Sequence, residues 1–174
     1  MKIAIVLVSL LVVLTFMTPV PALGQAARAE FHNTQGEPVG TATLTDDPEG
    51  VRIRLQLSKL PPGTHGIHIH AVVRCDPPDF TSAGGHFNPE GRKHGQQNPE
   101  GAHAGDLPNL TVSADGSANV ELLARDVVLG SETNSHSLFP PTGTSLVIHA
   151  NADDGKTDPA GNAGARIACG VITR

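Results

Sequence analysis

The sequence predicts an all-β domain, a sandwich or barrel of about eight short strands with two long functional loops. Three observations carry this reading. Apolar and polar residues alternate with period two in several short runs. The 174 residues include 19 glycines and 14 prolines but only 3% aromatics, a composition that favours short elements and many turns. Beyond residue 29 no window longer than a few residues keeps a 3.6-residue period.

The first 29 residues read as a signal peptide and residues 30–174 as the domain. Lys2 supplies a basic start, Ile3 to Met17 is apolar apart from Ser9 and Thr15, and Pro19 and Pro21 break the run. Ala27-Arg28-Ala29 then offers a small-x-small cleavage motif before Glu30. The apolar run is short for a membrane span, which needs about 20 residues. The expected location is therefore extracytoplasmic: periplasmic, cell-envelope or secreted.

Strands follow in order. Ala29 to Asn33 is the first, and Val39 to Leu44 the second. Asp46-Asp47-Pro48-Glu49-Gly50 is a turn. Val51, Ile53, Leu55 and Leu57 alternate with Arg52, Arg54 and Gln56, the pattern of a half-buried strand. Leu110 to Ser113 and Ser117 to Leu123 flank Asp115-Gly116, a hairpin signal. Ser145 to Ala150 and Arg166 to Thr173 complete the set. Between them, Ala71 to Asp106 and Ala152 to Ala165 are long and poor in apolar residues; such loops in a compact domain are usually functional or disordered.

Charge and cysteine usage narrow the partners. The net charge is −5. Loss of residues 1–29 removes Lys2 and Arg28 and no acid, leaving ten basic against 17 acidic residues, or −7. An acidic domain without Trp or Tyr is a poor candidate for nucleic acid or an anionic membrane. Cys75 and Cys169 are the two cysteines, and export with an even count argues for one disulfide. Two free buried thiols are the alternative.

Histidine carries the main chemical signal. Six of the nine histidines lie between positions 65 and 103. His68 and His70 alternate with Ile67 and Ile69, so in a strand both imidazoles leave one face while the isoleucines point into the core. Alone, such a pair is a weak metal signal. His86, His94, His103 and Asp106 follow in the long loop, and three imidazoles with one carboxylate suit tetrahedral zinc. His149 ends an apolar strand run and is placed to face His68 and His70 across the sandwich.

Together these segments resemble the copper–zinc superoxide dismutases, in their bacterial exported form. Gly63-Thr64-His65-Gly66-Ile67-His68-Ile69-His70 looks like the copper signature, and Gly84-Gly85-His86-Phe87-Asn88-Pro89 like the bridging-histidine motif. Lys93-His94-Gly95 and His103-Ala104-Gly105-Asp106 resemble the zinc loop. Leu146 to Asp154 and Gly161 to Gly170 resemble the C-terminal signature. The resemblance implies an eight-stranded Greek-key β-sandwich or barrel holding one copper and one zinc ion per subunit. It implies copper on His68, His70, His86 and His149, and zinc on His86, His94, His103 and Asp106. Asp153 would link a copper ligand to a zinc ligand, Arg166 would flank the copper channel, and Cys75 would pair with Cys169. His65 matches a structural histidine; His32 and His136 read as ordinary surface or packing residues.

The implied activity is dismutation of superoxide anion to oxygen and hydrogen peroxide by a copper redox cycle, an antioxidant defence outside the cytoplasm. In that cycle His86 leaves copper, takes a proton and stays on zinc; Arg166 draws in the anion. A homodimer and a copper-delivery protein are the macromolecular partners the resemblance suggests, although dimer contacts differ between lineages. Two departures stand out. The loop Asp154 to Gly161 lacks the charged stretch of many animal and plant members, leaving Lys156 and Arg166 as steering cations. Asp76-Pro77-Pro78-Asp79-Phe80 is inserted after Cys75. The competing readings are a secreted metal carrier without turnover, an adhesive sandwich, which needs no ligand set, and a zinc hydrolase, for which no general base is evident.

Overall fold

The computed structural model describes residues 25–130 and 132–174. It is all-β apart from one short 3-10 turn, Thr81–Ala83. The strands are β1 (Ala26–Asn33), β2 (Pro38–Asp47), β3 (Gly50–Leu57), β4 (Gly63–His65), β5 (Ile67–His70), β6 (Leu110–Val112), β7 (Ala118–Ala124), β8 (Ser145–His149) and β9 (Arg166–Thr173). Seven form one curled antiparallel sheet in the order β5-β8-β9-β1-β2-β3-β7, and β4 pairs with β6. β7 returns beside β3 and β9 beside β1, the non-sequential neighbours of Greek-key connections. Nine strands stand where eight were expected because the chain from Gly63 to His70 divides at Gly66. Gly66 leaves both ladders to bond Asn151 and His149 through its backbone, so β4 faces β6 while β5 faces β8.

Alternation sets the core. Val51, Ile53, Leu55 and Leu57 of β3 are buried while Arg52, Arg54 and Gln56 are exposed. Burying each such apolar side chain contributes about 1.5–3 kcal/mol, an upper figure because denatured chains already bury some surface. The expected turn joins β2 to β3, with Asp47 opposite Gly50 and the Asp47 carboxylate accepting the Glu49 N–H. Asp115-Gly116 also turns as expected, but its flanking strands then part, β6 to β4 and β7 to β3. They do not form a hairpin ladder, because each finds its partner in a different sheet.

One strand boundary and one connection differ from the sequence reading. β1 begins at Ala26, so the expected boundary between Ala29 and Glu30 falls inside a strand. Ala27 and Ala29 are buried, and Ala26 to Ala29 pair with Thr45 to Ala42 of β2. Ala-Arg-Ala satisfies a cleavage motif and a strand alternation equally well. The signal peptide itself lies almost wholly outside the described residues. A third long connection, between β7 and β8, was not anticipated; its Val127, Leu129 and Leu138 are buried in the main core.

Candidate metal centre

Three strands and two loops build the site. β5 presents His68 and His70. Both rings are buried, as are Ile67 and Ile69, so the face opposite the apolar core is covered by loop rather than open to solvent. β8 is the next strand in the same sheet, pairing Ile148 with Ile67. His149 therefore approaches from beside His68 and His70 and not across the sandwich. A register shift between Ile148 and His149 brings His149 opposite Arg166 at the start of β9.

The first long loop delivers His86, His94, His103 and Asp106. Backbone pairing pins it to β5: His70 bridges to His86 and His68 to Asp106. The disulfide between Cys75 and Cys169, Cα–Cα 5.5 Å, ties the start of this loop to β9.

Four buried ring nitrogens decide what the upper half of the site can hold. His68 Nδ1, His70 Nε2, His86 Nε2 and His149 Nε2 have no hydrogen-bond partner among the described residues. The ligand atoms of these four residues lie within 4.8 Å of one another. The opposite nitrogen of each ring is engaged. His68 Nε2 lies 2.7 Å from Asp153 Oδ2, His70 Nδ1 2.9 Å from the Gly84 carbonyl and His149 Nδ1 3.2 Å from the Gly164 carbonyl. Each outer acceptor places the N–H outward and leaves a lone pair facing inward. Four inward lone pairs from imidazole are a site for a nitrogen-preferring cation, and copper fits that donor set.

The lower half is tighter. Asp106 Oδ1 lies 2.9, 3.1 and 3.2 Å from the Nδ1 atoms of His86, His94 and His103. His103 Nδ1 is 3.3 Å from His86 Nδ1. A tetrahedral zinc ion with ligand bonds of 2.0–2.1 Å sets its ligands roughly 3.3 Å apart, so the set fits zinc closely. Asp106 Oδ2 accepts the backbone N–H groups of Gly95 and His103, fixing the loop that carries two of these imidazoles. His86 turns one nitrogen to each half and so joins them.

Asp153 spans both halves from outside: its Oδ2 meets His68 Nε2, and its Oδ1 lies 3.1 Å from His94 Nε2. Burial opposes ionisation of Asp106 and Asp153, but imidazole hydrogen bonds outweigh it and hold both carboxyls far below the usual range. Burial lowers His70 to about 2, and His86 and His149 to about 4, keeping them neutral as ligands must be. His94 is also pulled down by burial, yet hydrogen bonds to Asp106 and Asp153 carry it up to about 9.

Arg166 is anchored to the loop. Its Nη1 donates to the Phe80 carbonyl at 2.6 Å and its Nη2 to the Gly84 carbonyl at 2.7 Å. Burial lowers its pKa, but a guanidinium keeps its charge. Gly84 O thus accepts from both His70 and Arg166, and its backbone, at φ 74°, adopts a conformation that suits glycine.

All the predicted site residues come together here. His65 stands apart, its ring nitrogens 2.8 Å from the carbonyls of His149 and Pro61. Three further residues were not foreseen. The Asn109 side chain donates to the Asp153 carbonyl and accepts its N–H, each at 2.9 Å. Asp158 Oδ1 accepts the His94 N–H at 2.7 Å. Gly161 lies against Asp153 and His94. Asn109 and Asp158 stand 44 and 64 residues from their partners, and Gly161 reaches His94 only across the two loops, so only the folded loops reveal them.

A family model for copper/zinc superoxide dismutase (SODC) matches residues 39–172. The chain belongs to the copper/zinc superoxide dismutase family. Among the relatives of this chain is Cu-Zn superoxide dismutase 2 of Aquifex aeolicus, 52% identical over 147 residues, 84% of this chain and 85% of that one. The Cu-Zn superoxide dismutase of Caulobacter vibrioides is 44% identical over 148 residues, again 84% and 85%. The crystal structure of a superoxide dismutase-like protein from Bacillus subtilis aligns with TM-score 0.80 at 42% identity, covering 83% of this chain and 96% of that one. Cu/Zn superoxide dismutase from Brucella abortus aligns with TM-score 0.69 at 30% identity, covering 86% and 100%.

Proposed function

We propose that this member of the family converts two superoxide anions and two protons to oxygen and hydrogen peroxide, outside the cytoplasm, with copper on His68, His70, His86 and His149 and zinc on His86, His94, His103 and Asp106. The observation that carries the reading is the shared His86: four inward nitrogens meet on one side of it and a carboxylate-centred tetrahedral set on the other. Bound copper supplies the one-electron change the reaction needs, whereas zinc has no accessible redox state.

The chain's own residues do the rest. His86 Nε2 is the buried atom able to hold and release a proton, because its Nδ1 stays fixed beside Asp106 whichever state Nε2 is in. Asp153 keeps His68 and His94 in single orientations, so neither half has to be rebuilt between turnovers. Arg166 offers a permanent positive charge near His70 and His149, where a small anion enters an otherwise acidic protein. Its two carbonyl anchors prevent it from swinging away.

The test is superoxide decay by pulse radiolysis on mature protein loaded with one equivalent of each metal. Fast decay that vanishes when copper is left out supports the proposal. Decay no faster than buffer, with both metals bound, overturns it.

Export is the second part of this reading. We infer cleavage upstream of the motif at Ala27-Arg28-Ala29, after Ala22-Leu23-Gly24, another small-x-small motif, and the membership of Ala26 to Ala29 in β1 supports this reading. The Gln25 N–H already lies 2.9 Å from Asp46 Oδ2, a carboxylate ready for a new terminal ammonium. Mass spectrometry of the exported protein is expected to show Gln25 first. A chain beginning at Glu30, or one retaining residues 1–24, would contradict this assignment.

A further inference from the structure

The second loop, residues 152–165, lacks the charged stretch that would guide an anion, and the structure shows another use for it. It lies against the segment that carries His94. Gln97 N–H donates to the Gly155 carbonyl at 2.9 Å, and Asn98 Nδ2 donates to the Lys156 carbonyl at 3.3 Å. The two backbones touch so closely that a Cβ on Gly95 would sit 2.3 Å from the Gly155 oxygen. Besides Asp153, whose carboxylate meets the His94 ring, a second carboxylate of the loop reaches across: Asp158 Oδ1 accepts the His94 N–H at 2.7 Å, while Asp158 Oδ2 lies 3.8 Å from Lys93 Nζ.

The loop that presents Asp158 is itself braced. Asp154 Oδ1 accepts the backbone N–H groups of Lys156 and Thr157, and Asp154 Oδ2 accepts from the Thr157 hydroxyl and the Asn162 amide. Asp158 is therefore displayed from a preformed turn. Its target is well chosen. His94 is fully buried, and its ring is engaged at both nitrogens, so the remaining freedom of its segment is in the backbone. A charge-assisted bond to that backbone N–H removes this freedom.

We propose that Asp158 is a positioning residue for the zinc half of the centre, acting on the His94 backbone. It touches neither metal nor substrate. The inference rests on the zinc assignment above. It also separates two functions of one side chain, the acceptor for His94 and the ion partner of Lys93. An exposed pair at 3.8 Å contributes little, so the acceptor is the active part.

Cobalt(II) in place of zinc gives a visible absorption that reports coordination geometry, and chelator competition gives affinity. Both are read on full mature protein with copper already bound. Asp158→Asn keeps an oxygen for the His94 N–H and loses the charge; Asp158→Glu keeps the charge and displaces the oxygen by one methylene. The expected order of zinc affinity is parent, then Asp158→Asn within about threefold, then Asp158→Glu, with Asp158→Ala weaker by about 10–100-fold. The cobalt spectrum is expected to broaden in Asp158→Ala and Asp158→Glu alone. Lys93→Met is expected to match the parent. Asp158→Glu binding more tightly than Asp158→Asn overturns the inference, and this comparison stands even where Asp158→Ala does not fold. A parent that binds neither cobalt nor zinc overturns the zinc assignment itself; a parent that binds with all variants equal to it overturns only the role of Asp158.

Discussion

At the scale of single residues, the centre depends on atoms that never meet a metal. Gly161 is the sharpest case. A Cβ there would lie 1.8 Å from Asp153 Oδ1 and 2.8 Å from His94 Nε2, so any side chain would displace the carboxylate that joins the two halves. Gly161→Ala is expected to lower zinc affinity about 10–100-fold in chelator competition. Gly91→Ala is the control. Gly91 has φ +65° against +60° at Gly161, but nothing lies within 4 Å of its added Cβ. Backbone strain of roughly 1–2 kcal/mol is common to both variants, so a difference in zinc affinity between them measures the steric contact alone. Equal affinities in the two variants would show that strain, not contact, dominates.

At the scale of elements, the disulfide and Arg166 form one unit. Phe80 and Gly84, whose carbonyls hold the guanidinium, lie in the segment tethered by Cys75 to β9, and β9 carries both Cys169 and Arg166. The bridge joins residues 94 apart in sequence, which in the chain-entropy model stabilises by about 4–5 kcal/mol, a figure that measured bridges often undershoot. Replacing both cysteines by serine is expected to lower the Tm of the metal-free protein by roughly 10 °C, at 2–4 °C per kcal/mol for a chain of this size. Calorimetry decides, and an unchanged Tm would show the segment to be held by the small cluster of Phe80, Ala83 and Val147 instead.

At the scale of the whole molecule, burying so many imidazoles makes the metal-free fold sensitive to acid. His86 and His149 are lowered to about 4 and His70 to about 2, chiefly by burial. An unfolded histidine titrates near 6.5. Between pH 6.5 and 4 the unfolded chain therefore binds more protons than the native one, and stability falls as pH falls. His94 has the opposite sign: raised to about 9, its contribution is complete below pH 6.5 and is lost only as pH rises through 9. Asp106 and Asp153, both depressed, contribute above about pH 3.9 and lose that contribution in stronger acid. Urea midpoints of metal-free protein are expected to drop steadily from pH 7 to 4.5. A flat profile over that range would mean that these rings are protonated or solvated without metal.

Much of this was legible in one dimension. Period-two alternation marks β3 because a strand buried on one face must alternate, and the His-x-His spacing places two rings on one face for the same reason. The ligand types, three imidazoles and a carboxylate in one loop and three more imidazoles on strands, state the chemistry before any coordinate is known. Tertiary structure decided the rest. The sequence could not show that β6 and β7 part into different sheets, that His149 stands beside His68 and His70 in one sheet, or that Ala27-Arg28-Ala29 lies within a strand. Nor could it show that Asn109, Asp158 and Gly161 support the centre. Periodicity and ligand type are local properties, carried by neighbours along the chain. Strand partners and outer hydrogen bonds join residues tens of positions apart, and only the closing of the sheet and the docking of one loop on the other bring them within reach.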